Sequence, residues 1–168
     1  MFGKKSRSRS NDSHQDGINY KCLVRYLNSR SIDYSKLRDI NLQNPPLLIQ
    51  LETDSKFGTI PTVASCTSFG ISFQGICPLN ATEDAYDDVL RVITKVGYAF
   101  CYGWFCMDQS DGEIQARSYL IEANDFVDDD AITQALSTIS FLYDTYDELL
   151  LKAIKGHGLT DSDFDMFQ

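Results

Sequence analysis

Carboxylates are the commonest groups in this chain that could do chemistry. They cluster as Asp84, Asp87 and Asp88, as Asp128 to Asp130, and as Asp161, Asp163 and Asp165. Paired carboxylates work as acid and base when a site separates their pKa values. The first two clusters stand where helices are expected to begin, so capping and the helix dipole account for them. The third starts like a calcium loop but lacks the glycine at the sixth position and the distal glutamate. A nucleophilic cysteine or serine would need a base, and His14 and His157 lie near opposite ends, outside any patterned element. No segment approaches a phosphate-binding glycine loop. The five cysteines, Cys22, Cys66, Cys77, Cys101 and Cys106, form no Cys-x-x-Cys pair. They read as reduced core thiols of a cytoplasmic protein rather than a zinc site. These residues predict no enzyme, no metal and no cofactor.

Charge narrows the partner class. From Glu122 to Gln168 eleven acids face only Lys152 and Lys155, so the whole net charge of -9 falls in this part. Such a surface repels phosphate backbones and anionic membranes, which argues against nucleic acid. No apolar run is long enough to span a bilayer, and no apolar stretch follows the basic Met1 to Ser10 to make a secretory signal. Tyr98, Phe100, Tyr102 and Trp104 recur at period two. Such a row can stack bases, but it has only Arg117 for cationic support and reads better as core beneath a helix.

The elements that position these groups follow from periodicity. Ile18, Cys22, Leu23, Tyr26 and Leu27 make the stripe of a first helix, which Asn28-Ser29 ends. Ile32 and Tyr34 continue as an extended connection, and Pro45-Pro46 breaks any helix there. Three strands follow, at Leu47 to Thr53, Gly58 to Ser68 and Phe69 to Cys77, with Ile71, Phe73 and Gly75 on one face of the third. Asn80 or Thr82 caps a second helix, whose core stripe is Tyr86, Val89, Leu90, Ile93 and Val96 and whose end is Gly97. Tyr98 to Met107 and Glu113 to Ile121 then form a hairpin about Asp111-Gly112. Its first strand reads as central, with Trp104 buried and worth roughly 3 to 5 kcal/mol against alanine. A long helix starts at Asp128 to Asp130, carries Ile132, Leu136, Ile139, Tyr143, Tyr146, Leu150 and Ala153 inward, and stops before Gly156.

This order of elements resembles the YbjN-like family, whose fold is that of type III secretion chaperones. The resemblance runs from about Ile18 to Ile154 and is sharpest in Phe105 to Leu120, with its Asp-Gly turn and Arg117-bearing strand, followed by the acidic cap and the helix Ala131 to Ile154. Lys95-Val-Gly-Tyr-Ala-Phe replaces the asparagine-rich approach common in that family. The resemblance implies a small, acidic, cofactor-free protein, of a kind described as sensory transduction regulators or chaperone-like binding proteins.

The expected architecture is α+β: one domain with an antiparallel sheet of about five strands and helices before, between and after it, α-β-β-β-α-β-β-α. Residues 1–14 are expected to form a disordered basic tail, 15–157 the domain and 158–168 a flexible acidic tail, with both tails dispensable for folding. The expected function is a non-enzymatic protein-binding module, chaperone-like or regulatory, acting as a homodimer. A small-molecule or lipid sensor using the aromatic sheet face is the alternative. Candidate contact residues are Pro61, as the mark of an edge strand, and Val92, as an exposed apolar residue beyond the stripe of the second helix. Phe164, Met166 and Phe167 join them as a short motif in the acidic tail that could dock in a partner groove.

Overall fold

In the computed structural model, residues 9–37, 43–121 and 127–167 are described, with side chains from Gly17 onward. Helix α1 (Arg9–Ser29) leads to strands β1 (Tyr34–Lys36), β2 (Leu47–Leu51), β3 (Ile60–Thr67) and β4 (Gly70–Ile76). A short turn of 3-10 helix, Glu83–Ala85, runs into α2 (Tyr86–Ala99), then β5 (Trp104–Met107), β6 (Ile114–Ile121), α3 (Asp129–Ile154) and a second 3-10 turn, Asp161–Phe167. The six strands make one antiparallel sheet in the order β1-β2-β3-β4-β6-β5. The class is α+β as expected, with one strand more, because the stretch expected to be a plain connection at Tyr34 pairs with Ile49 as β1.

All three helices pack on one side of the sheet. α3 crosses β4 and β6, α1 lies beside it over β3 and β4, and α2 flanks it against β5. Register lines up the residues beneath them: Ile49, Thr62, Gly75, Ala116 and Phe105 form one row across five strands. Leu47, Ala64, Phe73 and Ser118 form the next row. All of these are buried, as are the expected inward positions of α3. Asp128 caps α3, its carboxylate accepting the Ala131 N–H at 2.6 Å.

α3 presses closely on the sheet at Gly75. A Cβ there would come within 2.5 Å of Ile139 Cγ2 and 3.1 Å of Ile60 Cγ2, so only glycine leaves room for the helix. Beside it, the fully buried Tyr143 donates its hydroxyl to the Gly75 carbonyl at 2.9 Å. Its ring meets Phe105 and Phe57 edge-on, at centroid distances of 5.3 and 5.6 Å. Burial pushes the Tyr143 phenol well above its ordinary pKa, so it stays a donor.

The aromatic stretch departs from expectation. Gly97 does not cap α2, which continues to Ala99 because the Phe100 N–H still reaches the Val96 carbonyl at 2.9 Å. That shortens the hairpin's first strand to Trp104–Met107, and this strand is an edge rather than the centre of the sheet. Trp104 is 43% exposed, not buried. Gly112 does make the turn, at φ 75°, with its carbonyl accepting the Ala81 N–H at 2.9 Å. At the N-terminus, α1 begins inside the stretch expected to be a disordered tail; residues 1–8 of that stretch lie outside the described residues.

Two substitutions test the seat of α3. Gly75→Ala is expected to lower stability by about 1 to 3 kcal/mol through overpacking against Ile139. Tyr143→Phe, which strands the Gly75 carbonyl, is expected to cost about 1 to 2 kcal/mol. Urea unfolding followed by circular dichroism measures both, and wild-type midpoints would show that the helix has slack at this contact.

Candidate functional site

Because strand side chains alternate, the register that turns one row toward the helices turns the next row away from them. No described helix lies over that second face. It carries Leu48, Pro61, Val63 and Ile76, all half-buried only by their neighbours, and the more exposed Trp104, Tyr119 and Ile121. Serines and glutamines fill most of the remainder. Arg117 is the one charged residue that the strands present there.

Arg117 stands at the centre of the β5 side of this face, opposite Trp104 on one side and Gln74 on the other. Its Nε and Nη2 donate to Gln115 Oε1 at 3.0 and 2.8 Å, and the Gln115 amide in turn donates to Glu113. The guanidinium is therefore tied down along β6 while its aromatic neighbour stays open to solvent. Cys106, opposite Gln115, is no poised nucleophile: partial burial raises its thiol pKa, and the nearby Arg117 offsets this only in part. Among the described residues, no group of three or more His, Cys, Asp or Glu side chains could hold a metal ion.

A groove of about 240 Å³ adjoins this face at the far end of β6. Tyr102 forms one wall and Ala131, Gln134, Ala135 and Thr138 of α3 the other. Phe100 supports Tyr102 edge-on at 5.9 Å and stacks on Phe141 at 5.0 Å. Tyr98, by contrast, is 95% exposed at the end of α2. The four aromatics expected in one strand row therefore divide among a helix end, a connection and a strand start, and of them Phe100 packs against the core while Tyr102 lines the groove.

The candidate contact residues fare unequally. Val92 is fully buried, contrary to expectation, because the inward face of α2 is Val89, Val92 and Val96, rotated from the stripe the sequence suggests. Pro61 does not mark an edge strand: β3 is interior. The β3–β4 ladder starts only at Thr62, so Pro61 lies just outside the residues paired with β4, where a missing N–H is tolerated. Phe164 is buried under Arg91, whose guanidinium carbon lies 4.5 Å from the ring centroid, and Phe167 stacks on Tyr146 at 5.6 Å. Both are thus taken up inside the molecule, and the expected flexible tail is folded over Asp161–Phe167. Met166 alone of the three stays exposed, beside a broad charged groove of about 730 Å³ that also includes Lys56, Lys155 and His157.

The acids of that tail act as fasteners. Asp161 pairs with Arg91, and Asp163 accepts from Lys152 at 2.7 Å and from the Thr160 N–H and hydroxyl, both at 2.7 Å. The Lys152 hydrogen bond first, then those from Thr160, hold the Asp163 carboxyl down at about 2 against an ordinary value of 3.8. The sequence signal for the open face was present in the alternation of Gln115, Arg117 and Tyr119. Nothing in it said that no helix would cover those positions.

No family model and no curated protein matches this chain. Among solved structures it is similar to YbjN from E. coli, titled a candidate transcription regulator. The TM-score is 0.54 at 10% sequence identity, over 77% of this chain and 91% of that one. The fold is YbjN-like. At that identity the YbjN likeness speaks for architecture alone, and the roles of residues rest on the geometry above. No described helix is long and apolar enough to cross a membrane.

Trp104→Ala is expected to cost only about 1 kcal/mol or less, the scale of a cross-strand pair, since the ring is half open to water. A loss above 3 kcal/mol in urea unfolding would return it to the core. Asp163→Asn tests the tail. A depressed carboxyl contributes stability above its unfolded pKa, and that contribution is lost as pH falls through about 2. The variant should melt below wild type at neutral pH, and the gap should close between about pH 4 and 2. A gap that does not change with pH would mean that the pair with Lys152 contributes nothing.

Proposed function

We propose that this chain is a non-enzymatic protein-binding module, chaperone-like or regulatory, which acts as a cytoplasmic homodimer and engages its partner through the open face of the sheet. One observation carries the reading. In a chain of net charge -9, the strand residues of a six-stranded face that no described helix covers include a single charge, Arg117. Depletion of charge with retention of aromatic and arginine side chains is the composition of an interface centre rather than of ordinary surface. Trp104 beside Arg117 supplies the two residue types richest in binding energy, held by strand pairing and by Gln115.

Other features support the reading. The neighbour in fold is titled a regulator, the acidic surface disfavours nucleic acid, and cysteines scattered without a Cys-x-x-Cys pair suit a reducing compartment. A small-molecule or lipid sensor is the weaker reading, because the groove beside Tyr102, at about 240 Å³, falls below the usual size of ligand pockets.

Affinity capture with the wild-type chain and with Trp104→Ala/Arg117→Glu, followed by identification of bound proteins, tests the assignment. The double variant should keep the wild-type circular dichroism spectrum and lose specific partners by about tenfold or more. Unchanged recovery would take the interface off this face. Sedimentation equilibrium reads the oligomer, and a monomer at micromolar concentration would remove the homodimer from the proposal.

A further inference from the structure

β6 outruns its neighbour. β5 pairs with it only from Ile114 to Arg117, while β4 pairs along the opposite edge as far as Ile121. Among the described residues, no strand lies on the β5 side of Ser118 to Ile121. β5 begins directly after Gly103, where a Cβ would meet Thr138 Cγ2 at 2.5 Å and the Arg117 carbonyl at 2.8 Å. The chain therefore enters the sheet at this point, and among the described residues the last four of β6 pair on one flank only. An edge with an unoccupied flank is a template for another extended chain.

The groove between Tyr102 and α3 runs beside this edge and includes Ser118 to Ile121 in its wall. A strand edge next to a side-chain pocket is the arrangement that strand addition uses: main-chain hydrogen bonds give affinity, and the pocket selects a side chain. Ala131 and Ala135 keep the pocket shallow, which suits a small branched apolar group. Charge selects what stands beside that group. Ala131 follows Asp128, Asp129 and the exposed Asp130 at the start of α3, Asp129 being already engaged by Arg25 at 2.9 Å.

We infer that the Ser118–Ile121 edge takes an extended segment of a partner protein, in which a small apolar side chain enters the Tyr102 groove and a lysine or arginine two residues along, on the same face of that segment, faces Asp130. This rests on the protein-binding reading and names the form of its partner. A second copy of the chain is the poorer occupant, since it brings the same net charge of -9 to an acidic rim.

Trp104 is the sole tryptophan and pairs with Arg117, the residue just before the edge, so its fluorescence reports occupancy. The probe is a short acetylated, amidated peptide in which valine and lysine take turns at every second position with serine between them, so that both fall on one face. It should bind saturably, and about tenfold tighter than the same peptide with alternate backbone amides N-methylated or with glutamate for lysine. Tyr102→Ala should weaken it about tenfold, and Asp130→Asn should weaken it while leaving its N-methylated form unaffected. Equal binding of the methylated peptide, or no saturable binding, overturns the inference. So does a wild-type dimer that Tyr102→Ala dissociates, because a second copy would then hold the edge. If the peptide fails while partner capture remains sensitive to Trp104→Ala/Arg117→Glu, only this inference falls. If capture is insensitive as well, the protein-binding assignment of the face falls with it.

Discussion

The seat of α3 on the sheet is the constraint from which the rest follows. A 26-residue helix can lie against β4 only because Gly75 presents no side chain, and the Tyr143 hydroxyl meets the Gly75 carbonyl beside the cleared space. Once that contact is made, the spacing along α3 determines what lies above each strand. Ala135 accepts from the Ser118 hydroxyl at 2.8 Å, Ile139 covers Gly75, and Tyr143 meets Phe105. α1 and α2 then occupy the two flanks of α3, with Tyr26 sharing a hydrogen bond with Thr133 at 2.9 Å on one of them.

Placing every described helix on one side leaves the other side without a helix over it among the described residues. Antiparallel sheets tolerate this because one face can be polar. Here the strands present a single charge, Arg117, on the open face, which keeps Trp104, Tyr119 and Ile121 partly exposed. A face meant only for water would cost nothing by carrying lysines and glutamates, which this chain uses freely elsewhere. The surface charge is instead invested in fasteners. Asp161 and Asp163 hold the last turn to α2 and α3, and Asp147 accepts the Lys56 N–H at 2.7 Å to anchor the loop after β2.

Much of the fold was legible because it rests on local rules. Cys22, Leu23, Tyr26 and Leu27 repeat with the helical period, and all four are buried. The alternation through Ile71, Phe73 and Gly75 identified the inward face of β4, and the Asp128 cap and Gly156 bracketed α3. The errors came where local pattern allows two outcomes. Gly97 can end a helix or sit within one, and the helix prevailed because Val96 still found a donor in Phe100. An apolar run such as Tyr98 to Met107 looks the same in a central strand as in a helix end followed by an edge.

The sequence by itself determined the α+β class, the long capped helix, four of the strands and the Asp-Gly turn, since periodicity, capping and positive φ act over a few residues. It also contains no phosphate-binding glycine loop and no Cys-x-x-Cys pair. Only the tertiary structure decided which strands are edges, that Val92 faces inward, and that Phe164 and Phe167 fold back onto the domain. It alone placed Arg117 and Trp104 on the uncovered face and left the end of β6 beside the Tyr102 groove. Those outcomes depend on contacts between residues far apart in the chain, which no local rule encodes: the side of the sheet that α3 occupies, and the residue at which β5 stops.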